Sequence, residues 1–430
     1  MPSAAVILLG CPKNQVDTEY ALGSLERAGW QITTDPASSD LVVITTCAFL
    51  GSAVRESESV IERTLELKRR RPELKVVVGG CLVQRFGAEL GRRFPEVDLW
   101  VGIDALPDIP RLLRLRARSF LCAEPCALVP AGAARLLSTP RHFAYLKVAD
   151  GCDNRCSYCL IPSIRGRLRS RPAAAIVAEA RGLVRLGARE LILVAQDTTA
   201  WGADLPGRPQ LPGLLARLGR IRDLRWIRLM YAHPAHVTGE LLDEFAHNPK
   251  LCRYIDLPIQ HVSDRILEAM NRHYTCSDLD RLLERARALP EVRLRTTIIV
   301  GFPGETAREF RSLLDFVRAA RFDRLSAYAY SPEPGTAAAA LPRPVSDPVK
   351  RERIRELMRV QAAISRSRLR RLVGTELDVL VDAPGLGRTE WDAPEVDGTV
   401  KLTGPKVEPG AFVRCRVTGS STHDLVATVL

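Results

Sequence analysis

The chain has 430 residues, 46% hydrophobic and 26% charged with few aromatics, which excludes wholesale disorder and, at about 150 residues per domain, implies two or three domains. Sixty-two Lys and Arg against 50 Asp and Glu give +12, a balance suited to contact with nucleic acid or a ribonucleoprotein. The longest apolar run, residues 41–51, falls well short of the roughly 20 needed to span a bilayer, and Met1-Pro2-Ser3-Ala4-Ala5 carries no basic leader, so the expectation is a cytoplasmic protein with no membrane contact.

Residues 1–115 alternate short β-rich runs (4–10, 41–46, 75–80, 97–101) with helical patterns (16–28, 52–71, 82–94, 108–115). The alternation predicts an α/β fold with an N-terminal parallel βα (Rossmann-like) domain. Residues 116–141, with Ala, Pro and Gly and no period, read as a linker. A second βα series in 142–345 has strand candidates at 143–149, 190–195, 226–231, 254–257, 293–300 and 324–330. Six strands are too few for a closed eightfold barrel, so a partial (β/α)6 barrel is expected, with function at the strands' C-terminal ends. Residues 346–373 read as an arginine-rich bridging helix. Residues 374–430 show strand runs at 376–381, 396–402, 411–417 and 425–430 between Gly, Pro and Asp, which predicts a small antiparallel β-barrel of OB-like type. This tail holds five basic and nine acidic residues, leaving +16 on residues 1–373.

Eleven cysteines, an odd number without a secretory context, argue against disulfides and for metal or redox use of some of them. Cys152, Cys156 and Cys159 form a C-x3-C-x2-C motif directly after the first barrel strand. Three thiolates on one loop can hold three irons of a [4Fe-4S] cluster and leave the fourth open, whereas a closed zinc site wants a fourth ligand that the neighbouring sequence lacks. Cys11, Cys47 and Cys81 each follow one of the first three major strands. Residues past the C-terminal ends of neighbouring parallel strands converge on one crevice, so these three predict a second cluster. Cys122, Cys126, Cys252, Cys276 and Cys415 are read as non-ligands.

The cluster spacing, with Tyr158 before the third cysteine and six βα units behind it, resembles the radical S-adenosylmethionine superfamily. Two open clusters, one per domain, resemble its methylthiotransferase family, and that likeness covers the whole chain, with a C-terminal TRAM domain. The runs Gly10-Cys11-Pro12-Lys13-Asn14-Gln15-Val16-Asp17, Cys47-Ala48-Phe49-Leu50, Lys147-Val148-Ala149-Asp150-Gly151-Cys152-Asp153-Asn154-Arg155-Cys156 and Ile161-Pro162-Ser163-Ile164-Arg165-Gly166-Arg167 are similar to those of the members that modify small-subunit ribosomal protein S-twelve. The resemblance implies conversion of one aspartate to 3-methylthioaspartate. One S-adenosylmethionine would supply a 5′-deoxyadenosyl radical at Cys152/Cys156/Cys159, and a second would methylate sulfur held at Cys11/Cys47/Cys81. An electron donor and a sulfur source are further implied partners.

Around the expected barrel mouth, Tyr158, Gln196, Asp197, Gln260, Gly301 and Glu305 are candidates for binding S-adenosylmethionine, with Tyr231, His233 and His261 beside them. Arg165 and Arg167, in an alternating run with Arg169 and Arg171, are candidates for clamping a substrate carboxylate. Trp391 lies among Glu390, Asp392, Glu395 and Asp397, a loop expected to repel RNA and attract a basic protein. The alternatives are a tRNA methylthiotransferase acting on a modified adenosine and, from another class, a non-enzymatic iron-sulfur sensor or electron carrier. Open irons are poorly suited to the last.

Overall fold

The computed structural model describes residues 1–120, 125, 128–130 and 132–430; the expectations for Cys122 and Cys126 lie outside the described residues. The N-terminal domain is a six-stranded parallel sheet of β1 (Ser3–Leu8), β2 (Gln31–Thr33), β3 (Leu41–Thr46), β4 (Lys75–Gly80), β5 (Leu99–Val101) and β6 (Ser119–Phe120), in the order β2-β1-β3-β4-β5-β6. The central strand β3 is buried along its whole length, as a parallel strand covered on both faces must be, and its unbroken apolar run follows from that. The two edge strands were not foreseen. β2 is a three-residue polar run, and β6 falls inside the expected linker.

The second domain opens with β7 (Phe143–Lys147). A short antiparallel pair, β8 (Ala149–Asp150) with β9 (Arg169–Ser170), brackets the cysteine loop. The remaining strands are β10 (Glu190–Val194), β11 (Trp226–Leu229), β12 (Tyr254–Asp256), β13 (Arg293–Val300) and β14 (Arg324–Ala329). They pair in parallel as β7-β10-β11 and β12-β13-β14, with an isolated bridge Ile227↔Leu251 between the two sets. These are the six strands of the partial barrel. Side chains alternate along each strand: Ala144, Leu146, Leu191, Leu193, Ile227 and Leu294 join the largest core with the surrounding helices. Phe143, Tyr145, Ile192, Trp226 and Tyr254 point to the inner face, where Val16 and Tyr20 of the N-terminal domain and Leu380 and Ala393 of the C-terminal domain cover them.

After the helix Asp347–Arg370, the chain closes a five-stranded barrel from β15 (Glu376–Ala383), β16 (Leu386–Arg388), β17 (Val400–Thr403), β18 (Phe412–Ser420) and β19 (Leu425–Val429). Four of its five pairings are antiparallel, as expected, and one differs: β17 and β19 run parallel. A ring with an odd number of strands cannot alternate direction all the way round, so one parallel pair is unavoidable. β16, three residues beside a Gly-containing turn, was too short to read.

The acidic segment of this domain is not a solvated loop. Trp391 is 8% exposed and lies under the Arg293 guanidinium, 4.4 Å from its ring centroid. Asp392 pairs with Arg324, and Asp397 accepts from the Tyr254 hydroxyl at 2.6 Å and lies 3.5 Å from Arg295. The Glu390 carbonyl accepts from Arg228 at 2.7 Å. Trp391, expected as a substrate contact, is placed between the C-terminal domain and the barrel. Of the acids around it, Asp392 and Asp397 pair with barrel arginines, whereas Glu395 is exposed.

Candidate functional site

The C-terminal strand ends of the two large domains face one another, and both cysteine triads sit there. In the barrel domain the turn out of β8 passes through Gly151 at φ +74°, where a Cβ would lie 1.9 Å from the Arg167 carbonyl oxygen. Only glycine permits that approach. The following loop is pinned from outside: the Ser157 N–H and hydroxyl donate to the Met270 and Ala269 carbonyls, and the Asn271 amide donates to the Arg155 carbonyl. Burial pushes the Cys152 thiol up to about 11 and the Cys159 thiol up to about 12. Thiols so placed are unwilling to carry charge unless a cationic group is bound to them. Arg272 helps: its guanidinium lies 3.4 Å from the Cys156 sulfur, 3.5 Å from the Tyr158 hydroxyl and 2.7 Å from the Pro258 carbonyl. No local pattern singled out this arginine.

In the N-terminal domain Cys11 is the N-cap of α1 (Pro12–Arg27), Cys47 follows β3, and Cys81 opens the short helix α2 (Cys81–Phe86) after β4. Gly10 is required here: at φ +116°, a Cβ would lie 2.4 Å from the Asn14 amide nitrogen and 3.3 Å from the Cys47 Cβ. Asn14 stitches the strand ends together by donating to the Leu9 and Thr46 carbonyls. Cys11 and Cys47 act electrostatically on Cys81, whose thiol burial pushes up to about 11. Burial also pushes Cys11 up, but Lys13 and Arg165 outweigh it and leave that thiol below its ordinary value.

Arg165 is not a free clamp. It is 2% exposed, its Nη1 bonds both Asp150 oxygens at 3.0 and 2.9 Å, and its Nη2 reaches Asp17 at 3.0 Å, the Asn14 carbonyl oxygen and the Cys81 sulfur at 3.5 Å. Lys147 joins the same pair of acids, bonding Asp150 at 2.9 Å and also Asp17. Arg165, expected as a substrate contact, is held by two buried carboxylates from different domains. Arg167 is the opposite case, 84% exposed and 3.5 Å from Asp153. A second tie across the domains uses Glu333, which accepts from the Gly51 N–H at 2.7 Å and from Arg85 at 3.2 Å.

The remaining candidates divide. Gln196 donates to Asp150 at 2.9 Å and leaves its buried Oε1 without a partner, as does Gln260, held at φ +65° by bonds to β13. The Tyr158 ring packs with Ile266, Met270, Phe302 and Tyr330. Asp197 accepts from Asn154 and lies 2.8 Å from the His236 Nδ1; burial pushes its carboxyl up, but His236 outweighs it and holds it near 2. Gly301 and Glu305, expected as cofactor contacts, are both engaged within the chain. Gly301 makes room for the Lys350 stem, which a Cβ would meet at 2.3 Å. Glu305 is spent on Arg353 at 2.7 Å and on the Gly301 and Phe302 N–H groups. His261 is buried, 4.0 Å from Glu305, and burial lowers it to about 4. His233 is likewise buried and lowered to about 3.

Among the described residues, one group brings its ligand atoms within 4.8 Å of one another: Asp197, His233 and His236. Both Asp197 oxygens are already used, by Thr199, Ala200, Asn154 and His236, so this is a hydrogen-bonded cluster. Neither thiol triad is drawn in so tightly. Thiolates on one zinc would be, at about 2.3 Å from a shared ion, whereas a cubane spreads its three ligands over three irons. The donor sets fit iron-sulfur clusters.

Residues 3–102 match the Uncharacterized protein family UPF0004, residues 146–317 the Radical SAM superfamily and residues 373–430 the TRAM domain. The ribosomal protein uS12 methylthiotransferase RimO of Geobacter sulfurreducens is 44% identical, the match covering 99% of this chain and 98% of that one. The RimO of Syntrophus aciditrophicus is also 44% identical, covering 100% and 98%. The chain belongs to the RimO family of radical S-adenosylmethionine methylthiotransferases. Among solved structures the fold is similar to the radical S-adenosylmethionine methyltransferase TsrM of Kitasatospora setae, at a TM-score of 0.57 and 17% identity, with 92% of this chain and 82% of that one covered. It is also similar to the cobalamin-dependent enzyme OxsB, at a TM-score of 0.52 and 13% identity, covering 85% and 56%. In this RimO-family chain the stretch between the Radical SAM and TRAM matches holds Glu333, the helix Asp347–Arg370 and its contacts Lys350 and Arg353.

Proposed function

We propose that this chain methylthiolates the β-carbon of one aspartate of small-subunit ribosomal protein S-twelve, giving 3-methylthioaspartate in the cytoplasm. The observation that supports this best is the facing of two thiol triads across one domain interface, in a chain that matches RimO proteins end to end. Cys152, Cys156 and Cys159 would hold the [4Fe-4S] cluster that binds S-adenosylmethionine, and Cys11, Cys47 and Cys81 a second. Between them these groups supply a radical able to take an unactivated C–H hydrogen and a sulfur to replace it. An electron donor and a sulfur source complete the requirement.

The chain's own residues prepare that chemistry. Arg272 donates toward the Cys156 sulfur, and Arg165 toward the Cys81 sulfur. Tyr158, Gln196, Asp197 and Gln260 ring the barrel mouth, and the unpartnered Oε1 atoms of the two glutamines suit the ammonium of an amino-acid ligand. The work divides among residues 1–115, 142–345 and 374–430. Because Asp392 and Asp397 near Trp391 are paired inside the chain, the preference for a protein over tRNA rests on the relatives and not on that segment.

The test is anaerobic reconstitution with S-adenosylmethionine, a reductant and either a peptide spanning the target aspartate loop or undermodified tRNA, followed by product mass. One methylthio group gained by the peptide, with tRNA unchanged, supports the proposal. Modification of tRNA alone overturns the substrate, and absence of S-adenosylmethionine cleavage overturns the enzyme.

A further inference from the structure

The cations at the domain interface almost all have carboxylate partners. Lys147 and Arg165 share Asp17 and Asp150, and Arg85 holds Glu333. Lys13 is not so paired. It lies in the first turn of α1, two residues beyond Cys11, is partly exposed, and forms no ion pair with a carboxylate among the described residues. Its ammonium sits 3.5 Å from the centroid of the Tyr231 ring. Tyr231 stands just past the end of β11, at the barrel mouth, in a left-handed conformation (φ +63°) that is unusual for an aromatic residue. The Asp256 carboxylate takes its N–H at 2.9 Å and holds it there.

Lys13 therefore bridges the two halves of the site: its backbone belongs to the Cys11 strand end and its charge lies against the barrel. An ammonium pressed onto an aromatic face has lost part of its water, and an arriving anion repays that loss. The substrate side chain in the function proposed above is itself a carboxylate. The carbon that receives sulfur is bonded directly to the carboxylate carbon, so a carbon presented to the Cys11/Cys47/Cys81 triad brings its carboxylate beside residue 13. Arg165 cannot supply this contact, being saturated by Asp17 and Asp150.

We propose that Lys13 receives the side-chain carboxylate of the substrate aspartate and so selects aspartate over its amide. This rests on the proposed function. In a reconstituted holoenzyme, dissociation constants are measured for the labelled target-loop peptide carrying Asp or Asn at the modified position. Wild type is expected to bind the Asp peptide about tenfold or more tighter, the scale of a hydrogen bond to a charged group. Lys13→Met, and Lys13→Gln as a second neutral variant, lose that preference, while Lys13→Arg keeps it. The ratio within each variant cancels any difference in cluster loading. A wild-type ratio near one, or a wild-type ratio retained in both neutral variants, overturns the assignment of Lys13. If the same wild-type enzyme methylthiolates the Asp peptide, the proposed function survives that failure; if it modifies only tRNA, the function falls and takes Lys13 with it.

Discussion

The Arg165 guanidinium, carried by the barrel domain, lies 3.5 Å from the sulfur of Cys81 in the N-terminal domain. The same side chain holds Asp150 of its own domain and Asp17 of the other. It thus ties the folding of the interface to the electrostatics of a thiol. Arg165→Met leaves two buried carboxylates with Lys147 alone, and breaking a buried pair from one side costs roughly 3–5 kcal/mol. Urea unfolding of the full-length apoprotein is expected to show a loss of that size, with Arg165→Lys in between because it restores charge but not the fork. A change under about 1 kcal/mol for the methionine variant would remove the network from the account of stability.

The two triads are expected to separate on substitution. Alanine at Cys11, Cys47 and Cys81 should halve the iron bound, from about eight to about four per chain, and abolish methylthio transfer while S-adenosylmethionine is still cleaved. Alanine at Cys152, Cys156 and Cys159 should abolish cleavage itself. Iron analysis and 5′-deoxyadenosine measured on the same samples decide this.

Glu190, the first residue of β10, is fully buried between Arg228 at 2.7 Å and Arg388 of the C-terminal domain at 2.9 Å. Burial pushes its carboxyl up, but Arg388 and Arg228 outweigh this and hold it below its ordinary value. A carboxyl depressed in the folded state contributes stability that is complete above its unfolded pKa, about 4.3, and is lost as pH falls through the folded value. Denaturant midpoints are expected to drop below about pH 4, and Glu190→Gln should flatten part of that slope while lowering stability at pH 7. An identical acid slope in wild type and variant would sink the assignment.

Gly301→Ala meets two obstacles, the φ of +74° and the Lys350 stem at 2.3 Å. A loss of about 1–3 kcal/mol is expected. Lys350→Ala in the same chain should recover the steric part and leave the backbone part, read as melting temperature in the two variants.

Trp391→Ala should cost roughly 3 kcal/mol as a buried aromatic lost from an inter-domain contact, and should loosen residues 374–430 toward a protease. Its effect on peptide affinity is expected to be within twofold, because the ring packs under Arg293 and not at the cysteine triads. A tenfold loss of affinity with unchanged protease resistance would restore Trp391 to substrate recognition.

The six cysteines were legible because two local regularities specify them. The C-x3-C-x2-C spacing lies on one loop, and the βα alternation alone implies that residues after β1, β3 and β4 converge. Arg272 and Lys13 were not legible as site residues, since among 62 cations nothing local says which reaches a sulfur or an aromatic face. Arg165 was noticed, but its partners were not. Its alternation with Arg167 resembles an exposed strip, yet its partners Asp17 and Asp150 lie 148 and 15 residues away. The acids around Trp391 were opaque for the same reason: the counter-charges of Asp397 and Asp392 sit on β13 and β14, which no reading of the segment itself includes.

That last arrangement has a consequence for synthesis. Arg228 and Arg295 find carboxylates inside the barrel, Glu190 and Asp256, but Arg324 is made long before its partner Asp392, and domains generally fold as units, N-terminal first, while the chain is still being made. Until the final forty or so residues leave the exit tunnel, the nascent barrel presents the Arg324 guanidinium without its carboxylate, on the face that the C-terminal domain will later cover. That edge of the barrel is therefore neutralised only at the end of translation, when the C-terminal domain supplies its counter-ion.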